Sequence, residues 1–331
     1  MSELIAVTGA EGFIGSHLVE ELVAQGHRVR AMVLYNSFGS WGWLERLDDD
    51  VLANVEVVLG DVRDPGSVTE LMRGAEVVYH LAALIAIPFS YVAPRTYVET
   101  NIGGTLNVLE AARALGTRRV VQTSTSEVYG TARVVPIPET HPLQGQSPYS
   151  ASKIGADKLA ESYFLSFGLP VVTLRPFNAY GPRQSARAVI PTIISQIAAG
   201  NSVIKLGSLD PTRDFTFVTD TARAFVAVGT ADAALVEGRT FNAGSGRDIS
   251  IGDLVRLIGS IMGEEIEVVS DAPRQRPTGS EVMRLLADST AMHETTGWSP
   301  TVTLDQGLAL TSEWLSDPAN LAGYKTAIYN V

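Results

Sequence analysis

The chain has 331 residues, a formal net charge of −11, 45% hydrophobic and 18% charged positions, and no cysteine. The acidic balance argues against a nucleic-acid binder, which carries a basic stripe, and the missing cysteines exclude disulfides and thiolate metal sites. No apolar run approaches the ~18 residues of a membrane span, and residues 1–7 lead into no long apolar run, so a cytoplasmic protein with no membrane and no nucleic-acid partner is expected.

Short Val/Ile/Leu runs alternate with longer segments of helical period. Residues 4–8 predict a first strand, and 13–25 a helix stopped at Gly26. Strands follow at 28–34 and 55–59, then a short helix at 68–72 and a fourth strand at 76–81. Residues 97–115 predict a helix ended by Gly116, and 119–123 a fifth strand. A long amphipathic helix is expected over 149–167, ended by Gly168, with a sixth strand at 171–174. This order predicts an α/β protein with a Rossmann-like, doubly wound parallel sheet and helices on both faces. Beyond Pro176 the pattern loosens into helical segments at 189–199 and 251–262 and a short strand at 265–269. These read as a smaller C-terminal lobe over the carboxyl edge of the sheet, where such sheets bind ligands.

Gly9-Ala10-Glu11-Gly12-Phe13-Ile14-Gly15 follows the first strand and opens a helix. Glycines there allow a tight turn against a pyrophosphate, which the free N–H groups of the helix start would hold. Asp61 and Val62 end the third strand, and Leu81, Ala82 and Ala83 follow the fourth. The carboxylate of Asp61 is placed to accept from an adenine amino group, and the small residues let the backbone pass close to a dinucleotide. Strand two should end in an acidic residue for the adenosine ribose. Leu34-Tyr35-Asn36-Ser37 stands there instead, without an arginine to attract a 2′-phosphate, so NAD and NADP both stay open, with a slight lean to NAD.

Tyr149 and Lys153 are four apart near a helix start, on one face. A phenol is a poor base, with a pKa of about 10; a nearby ammonium and a positive nicotinamide ring would bring it down. Thr123-Ser124-Thr125-Ser126-Glu127-Val128-Tyr129-Gly130 ends strand five at the same edge and offers serine and threonine hydroxyls and a carboxylate to a polyol. Each signal alone is common; together they point to general-base chemistry beside a nicotinamide. His80 reads as a core residue of strand four, and no metal site is expected.

With these residues, the chain resembles the extended short-chain dehydrogenases/reductases of the NAD-dependent epimerase/dehydratase family over essentially its whole length. Arg175-Pro176-Phe177-Asn178-Ala179-Tyr180-Gly181-Pro182, Arg213-Asp214-Phe215 and Phe241-Asn242-Ala243-Gly244-Ser245-Gly246 match later motifs of that family. Within it the chain is most similar to the N-acetylglucosamine 4,6-dehydratases of legionaminic-acid-type pathways. The stretches that carry this are Tyr35-Asn36-Ser37-Phe38, Trp41-Gly42-Trp43-Leu44, Ala83-Leu84-Ile85-Ala86-Ile87-Pro88, Pro182-Arg183-Gln184-Ser185-Ala186-Arg187 and Ile328-Tyr329-Asn330-Val331.

The resemblance implies a lyase that removes water from UDP- or GDP-N-acetylglucosamine. Tyr149 takes the 4-hydroxyl proton as hydride leaves C4, with Thr125 bonded to the same oxygen. Glu127 removes the acidified C5 proton, the 6-hydroxyl departs as water, and hydride returns to C6. NAD, with NADP not excluded, is thereby regenerated and stays tightly bound. The better-known hexose 4,6-dehydratases carry Asp where this chain has Ser126, so here the leaving group takes its proton from Glu127 or from a water. The same run also resembles uronic-acid decarboxylases. A C4 epimerase on the same fold and, more remotely, a non-catalytic dinucleotide-sensing protein are compatible with the same residues.

Asn178, Arg213 and Arg276 resemble residues that hold the substrate diphosphate, with Arg183 and Arg187 as further candidates. The family association implies a homodimer through helices 97–115 and 149–167. It also implies a dinucleotide domain over 1–178, receiving segments from about 215–248, and a mainly nucleotide-sugar-binding domain over 179–331.

Overall fold

The computed structural model describes residues 2–326 and 328–329; Asn330 and Val331 of the family-like tail lie outside them. The chain opens with β1 (Leu4–Thr8), α1 (Phe13–Ala24), β2 (Arg28–Leu34), β3 (Val55–Gly60), α2 (Pro65–Met72) and β4 (Val77–His80). Then come α3 (Gly104–Leu115), β5 (Arg119–Thr123), α4 (Pro148–Phe167), β6 (Val171–Pro176), α5 (Val189–Ala198), α6 (Val218–Thr230), β7 (Thr240–Ala243), α7 (Ile251–Met262) and α8 (Leu304–Ser316). Seven strands form one sheet in the order β7-β6-β5-β4-β1-β2-β3, every pair parallel.

Alternate side chains of each strand serve opposite faces, so both faces must be apolar. Ile5, Val7, Val29, Ala31 and Val121 join Leu18 and Leu22 of α1 and Phe225 of α6 on one side. Ala6, Met32, Val78 and Val120 join Val68, Val108, Leu109 and Ala160 on the other. That double burial is why the strands read as continuous apolar runs. A third cluster packs α5, α7 and α8 together through Ile193, Ile194, Leu254, Ile258 and Leu308. Among the described residues no helix is long and apolar enough to cross a membrane.

Three elements differ from expectation. Helix α2 begins three residues early because Asp64 caps it, accepting from Gly66 and Ser67 N–H, and Pro65 suits the first turn. The predicted helix 97–115 is interrupted: Val98–Gly103 is a π turn before α3. The predicted strand 265–269 lies at Glu267–Ser270, parallel to Val203–Leu206. The return of β7 to the edge of the main sheet, beside β6, has no counterpart in the strand order predicted from sequence.

Candidate active site

The glycine loop is a cradle that side chains would fill. A Cβ on Gly9 (φ +69°) would lie 2.8 Å from Ala82 N, and one on Gly15 would lie 2.1 Å from the Gly9 carbonyl oxygen. Helix α1 then starts at Gly12 without any side-chain cap. Its first N–H groups and Phe13 and Ile14 are thus presented at the sheet's carboxyl edge, a geometry suited to a pyrophosphate. The exit of β4 packs against the same loop. Leu81 and Ala82 N–H both donate to Thr8 Oγ1 at 3.1 Å, which lays the exit of β4 against Gly9.

The π turn has a side-chain cause that sequence reasoning missed. Buried Asn101 donates to the Leu84 carbonyl at 2.9 Å and accepts the Leu84 N–H at 2.8 Å. It also donates to Ser152 Oγ on α4 at 2.9 Å, tying the β4 exit to the helix that carries Tyr149. The Gly103-Gly104 pair in a helical stretch was the available signal. A Cβ on Gly104 would lie 2.8 Å from Val62, so the glycine lets α3 close on that residue. Asp61, beside it, is held bidentately by Arg63. Asn36 is absorbed by its own loop: it accepts from Phe38 and Ser40 N–H and donates to the Leu34 and Ser40 carbonyls, while Ser37 is exposed.

Helix α4 starts in a capping box made by Ser147 and Ser150, with Pro148 in its first turn. Tyr149, Lys153 and Asp157 then fall at successive four-residue steps on its buried face. The Thr125 hydroxyl and the Glu127 carboxylate lie close enough to Tyr149 to act on its proton, the first lowering the pKa of the phenol and the second raising it. Tyr97 packs edge-on against Tyr149, centroids 6.3 Å apart. Thr125 Oγ1 also accepts the Glu127 N–H at 3.2 Å, so one hydroxyl aligns both candidate groups. Ser126, between them, is buried. Beneath this cluster, Ser124 Oγ donates to Asp157 Oδ2 at 2.7 Å, and Arg175 pairs with the same oxygen at 3.0 Å. Arg175 further donates to Tyr129, whose hydroxyl donates to Asn242 on β7.

The electrostatics correct one expectation. Lys153 is expected to lower the Tyr149 pKa, but its Nζ donates to the Thr123 carbonyl at 2.6 Å. Burial pushes the phenol well above its ordinary value, the Thr125 hydrogen bond opposing and the Glu127 charge adding to the rise. Burial also brings the Lys153 ammonium down to about 8, with Asp157 opposing. The protein alone therefore keeps Tyr149 protonated.

Arg213 is buried, donates to Glu281 at 3.2 Å, and faces Glu127. Arg276 Nη1 lies 3.8 Å from the same Glu281 oxygen, is itself buried and has no hydrogen-bond partner. Two guanidiniums thus converge on one carboxylate, leaving local positive charge for an anion. Asn178 donates to the Asp214 carbonyl at 3.2 Å. Arg187 is exposed, donates to Ser185 Oγ, and its charge faces Tyr97. Arg183 departs from the expected role: it clamps Glu20 of α1 through two bonds of 2.7 and 2.9 Å.

This arrangement matches known proteins along nearly the whole chain. A family model described as GDP-mannose 4,6 dehydratase matches residues 6–311. A dTDP-glucose 4,6-dehydratase of Streptomyces griseus is 35% identical, covering 95% of this chain and 94% of its own. A UDP-glucose 4-epimerase of Mycolicibacterium smegmatis is 34% identical over 93% of this chain and 97% of its own. The solved dTDP-glucose 4,6-dehydratase DesIV of Streptomyces venezuelae, with NAD bound, superposes with a TM-score of 0.86 at 29% identity, covering 97% of this chain and 99% of that one. On this fold, motif set and likeness, the chain belongs to the extended short-chain dehydrogenases/reductases, in the NAD-dependent epimerase/dehydratase family.

Proposed function

We propose that the protein is a cytoplasmic nucleotide-sugar 4,6-dehydratase that converts UDP- or GDP-N-acetylglucosamine to its 4-keto-6-deoxy derivative. One observation carries the reading: Thr125 and Glu127 both act on the Tyr149 phenol, and the Thr125 hydroxyl accepts the Glu127 N–H, which brings a base for a hydroxyl and a base for a carbon acid to one site. The loop Gly9, Gly12, Gly15 with the uncapped start of α1 fits a dinucleotide pyrophosphate, with Leu81 and Ala82 packed against Gly9; on this reading Val62 and Ala83 complete the cofactor path. NAD, when bound, supplies a positive ring beside the phenol and the capacity to take a hydride from C4 and return one to C6.

The residues then divide the work. Tyr149 gives up its proton only when positive charge is placed beside it, because burial otherwise holds it protonated. It then accepts the proton of the 4-hydroxyl, with Thr125 steering the shared oxygen. Lys153, fixed on the Thr123 carbonyl, keeps the helix at the strand end and presents its remaining N–H donors to a ribose. Glu127 removes the C5 proton once C4 is a ketone. Ser126 is too weak an acid for the leaving 6-hydroxyl, so Glu127 passes the C5 proton to that oxygen, and a proton from solvent then returns to C5 through Glu127 as C6 is reduced. Arg213, Arg276 and Asn178, with Arg187 at the rim, hold the diphosphate. Residues 1–178 with about 215–248 take the dinucleotide, and 179–331 mainly the nucleotide sugar. Exposed Leu106, Leu165 and Phe167 on the α3–α4 pair suit a homodimer contact.

Turnover of a panel of nucleotide sugars in deuterated water tests this. A 4-keto-6-deoxy product carrying solvent deuterium at C5 is expected. A product that keeps its 6-hydroxyl, inverted at C4, would establish the epimerase that the Mycolicibacterium relative favours.

A further inference from the structure

Strand β2 ends without an acidic residue, yet a carboxylate stands at its tip. It belongs to Glu11, in the glycine loop. Glu11 Oε1 accepts the Leu34 N–H at 3.0 Å, which lays the side chain across the last residue of β2. Its other oxygen, Oε2, is buried and has no hydrogen-bond partner. The segment after β2 closes over it. Trp43 N–H donates to the Glu11 carbonyl at 3.0 Å, and a Cβ on Gly42 (φ +58°) would lie 2.8 Å from that oxygen. Asn36 knots the same segment through four hydrogen bonds, so the wall is built rather than loose. The cation at the neighbouring strand end, Arg63, is engaged by Asp61.

A buried carboxylate oxygen without a donor is costly, and the ligand that relieves it brings hydroxyls and no negative charge. The ribose next to the pyrophosphate reaches the end of strand two in this fold. Resting on the reading that the glycine loop holds a dinucleotide, we propose that Glu11 accepts the hydrogen bonds of the adenosine ribose hydroxyls and thereby selects NAD over NADP. The charge that such folds usually place on the strand reaches the same spot here from the loop. A 2′-phosphate would meet that charge at close range, with Arg63 already paired to Asp61.

The test compares dissociation constants of NAD and NADP for the wild type, Glu11→Gln and Glu11→Ala by isothermal titration, with melting temperatures reporting the fold. Glutamine keeps an acceptor for Leu34 N–H and removes only the charge. The wild type should prefer NAD by about a hundredfold, and Glu11→Gln should shrink that preference by about tenfold or more. Should neither of those variants fold, Glu11→Asp, which withdraws the charge by one methylene, should weaken NAD alone by about tenfold. An unchanged ratio in folded variants overturns this inference alone. A wild type that binds neither dinucleotide overturns the dinucleotide reading and this inference with it.

Discussion

Lys153 Nζ donates to the Thr123 carbonyl oxygen at 2.6 Å, so the ammonium one helical turn beyond Tyr149 is directed at the end of β5 and not at the phenol. The bond explains how α4 is registered against the hydroxyl-bearing strand end. It also leaves a buried cation whose proton is held less tightly than in water.

That cation sets a stability profile. Its pKa falls from 10.5 to about 8 on burial, the desolvation of the ammonium outweighing Asp157. Between those values the unfolded chain keeps a proton that the folded chain has released, so stability rises with pH across that window. The penalty is fully present below about pH 8 and amounts to about 3 kcal/mol. Lys153→Met removes it but orphans the Thr123 carbonyl. At pH 7 the variant should therefore be more stable than the wild type by about 1–3 kcal/mol while losing turnover. Denaturant titrations from pH 7 to 10.5 should show the difference narrowing; a constant difference would contradict the buried charge.

Tyr149→Phe keeps the edge-on contact with Tyr97 and deletes only the phenol oxygen. Turnover should fall by about 10²–10⁴-fold with the melting temperature nearly unchanged. A variant that retained wild-type turnover would remove the phenol from the chemistry.

Glu127→Gln preserves size and the backbone bond to Thr125 while abolishing the carboxylate base. Product formation should drop by about 10²–10⁴-fold. Substrate recovered from deuterated water should show no deuterium at C5, because the exchange step itself is blocked. Exchange at the wild-type rate would move that role to another residue.

Much of the sheet was legible because a strand buried on both faces needs consecutive apolar residues at its centre, as at 5–7, 31–33, 120–121 and 171–172. The glycine loop was legible for a local reason as well, its turn lying between strand and helix. What escaped depended on distant partners. Asn101 bends its helix through bonds to Leu84 and Ser152, neither of which is near it in sequence. Glu11 reaches the tip of β2, 23 residues on. Arg183 looks like a phosphate ligand until Glu20 is found beside it. The protonation of Tyr149 depends on how dry its pocket is, and no residue spacing reports that.

Arg213 and Arg276 share Glu281, so neither charge is fully neutralised. Arg213→Ala should weaken binding of the free nucleoside diphosphate by about 10–100-fold, the worth of a charge-assisted bond. Turnover at saturating substrate should change far less. Isothermal titration separates the two effects, and an unaltered affinity would exclude Arg213 from the diphosphate site.

His80 joins the end of β1, the exit of β4 and the π turn, and its protonation state follows from its partners. Thr8 Oγ1 accepts from both Leu81 and Ala82 N–H, so its own proton goes to His80 Nδ1 at 2.8 Å. Nε2 then carries the ring proton and donates to Thr105 Oγ1 at 3.1 Å, and Thr105 passes its own to the Asn101 carbonyl. A second ring proton would face the Thr8 hydroxyl proton, and burial already brings the His80 pKa down from 6.5 to about 3, with Lys153 contributing. Below pH 6.5 the unfolded chain takes up a proton that the folded chain refuses, so stability is lost as pH falls towards 3. The slope from this one residue is about 1.4 kcal/mol per pH unit. His80→Asn cannot titrate and should lose about 2–3 kcal/mol less than the wild type between pH 6.5 and 4.5. Because the carboxylates titrate alike in both proteins, equal acid slopes in urea titrations would show that His80 does not set the acid limit of the β1–β4 junction.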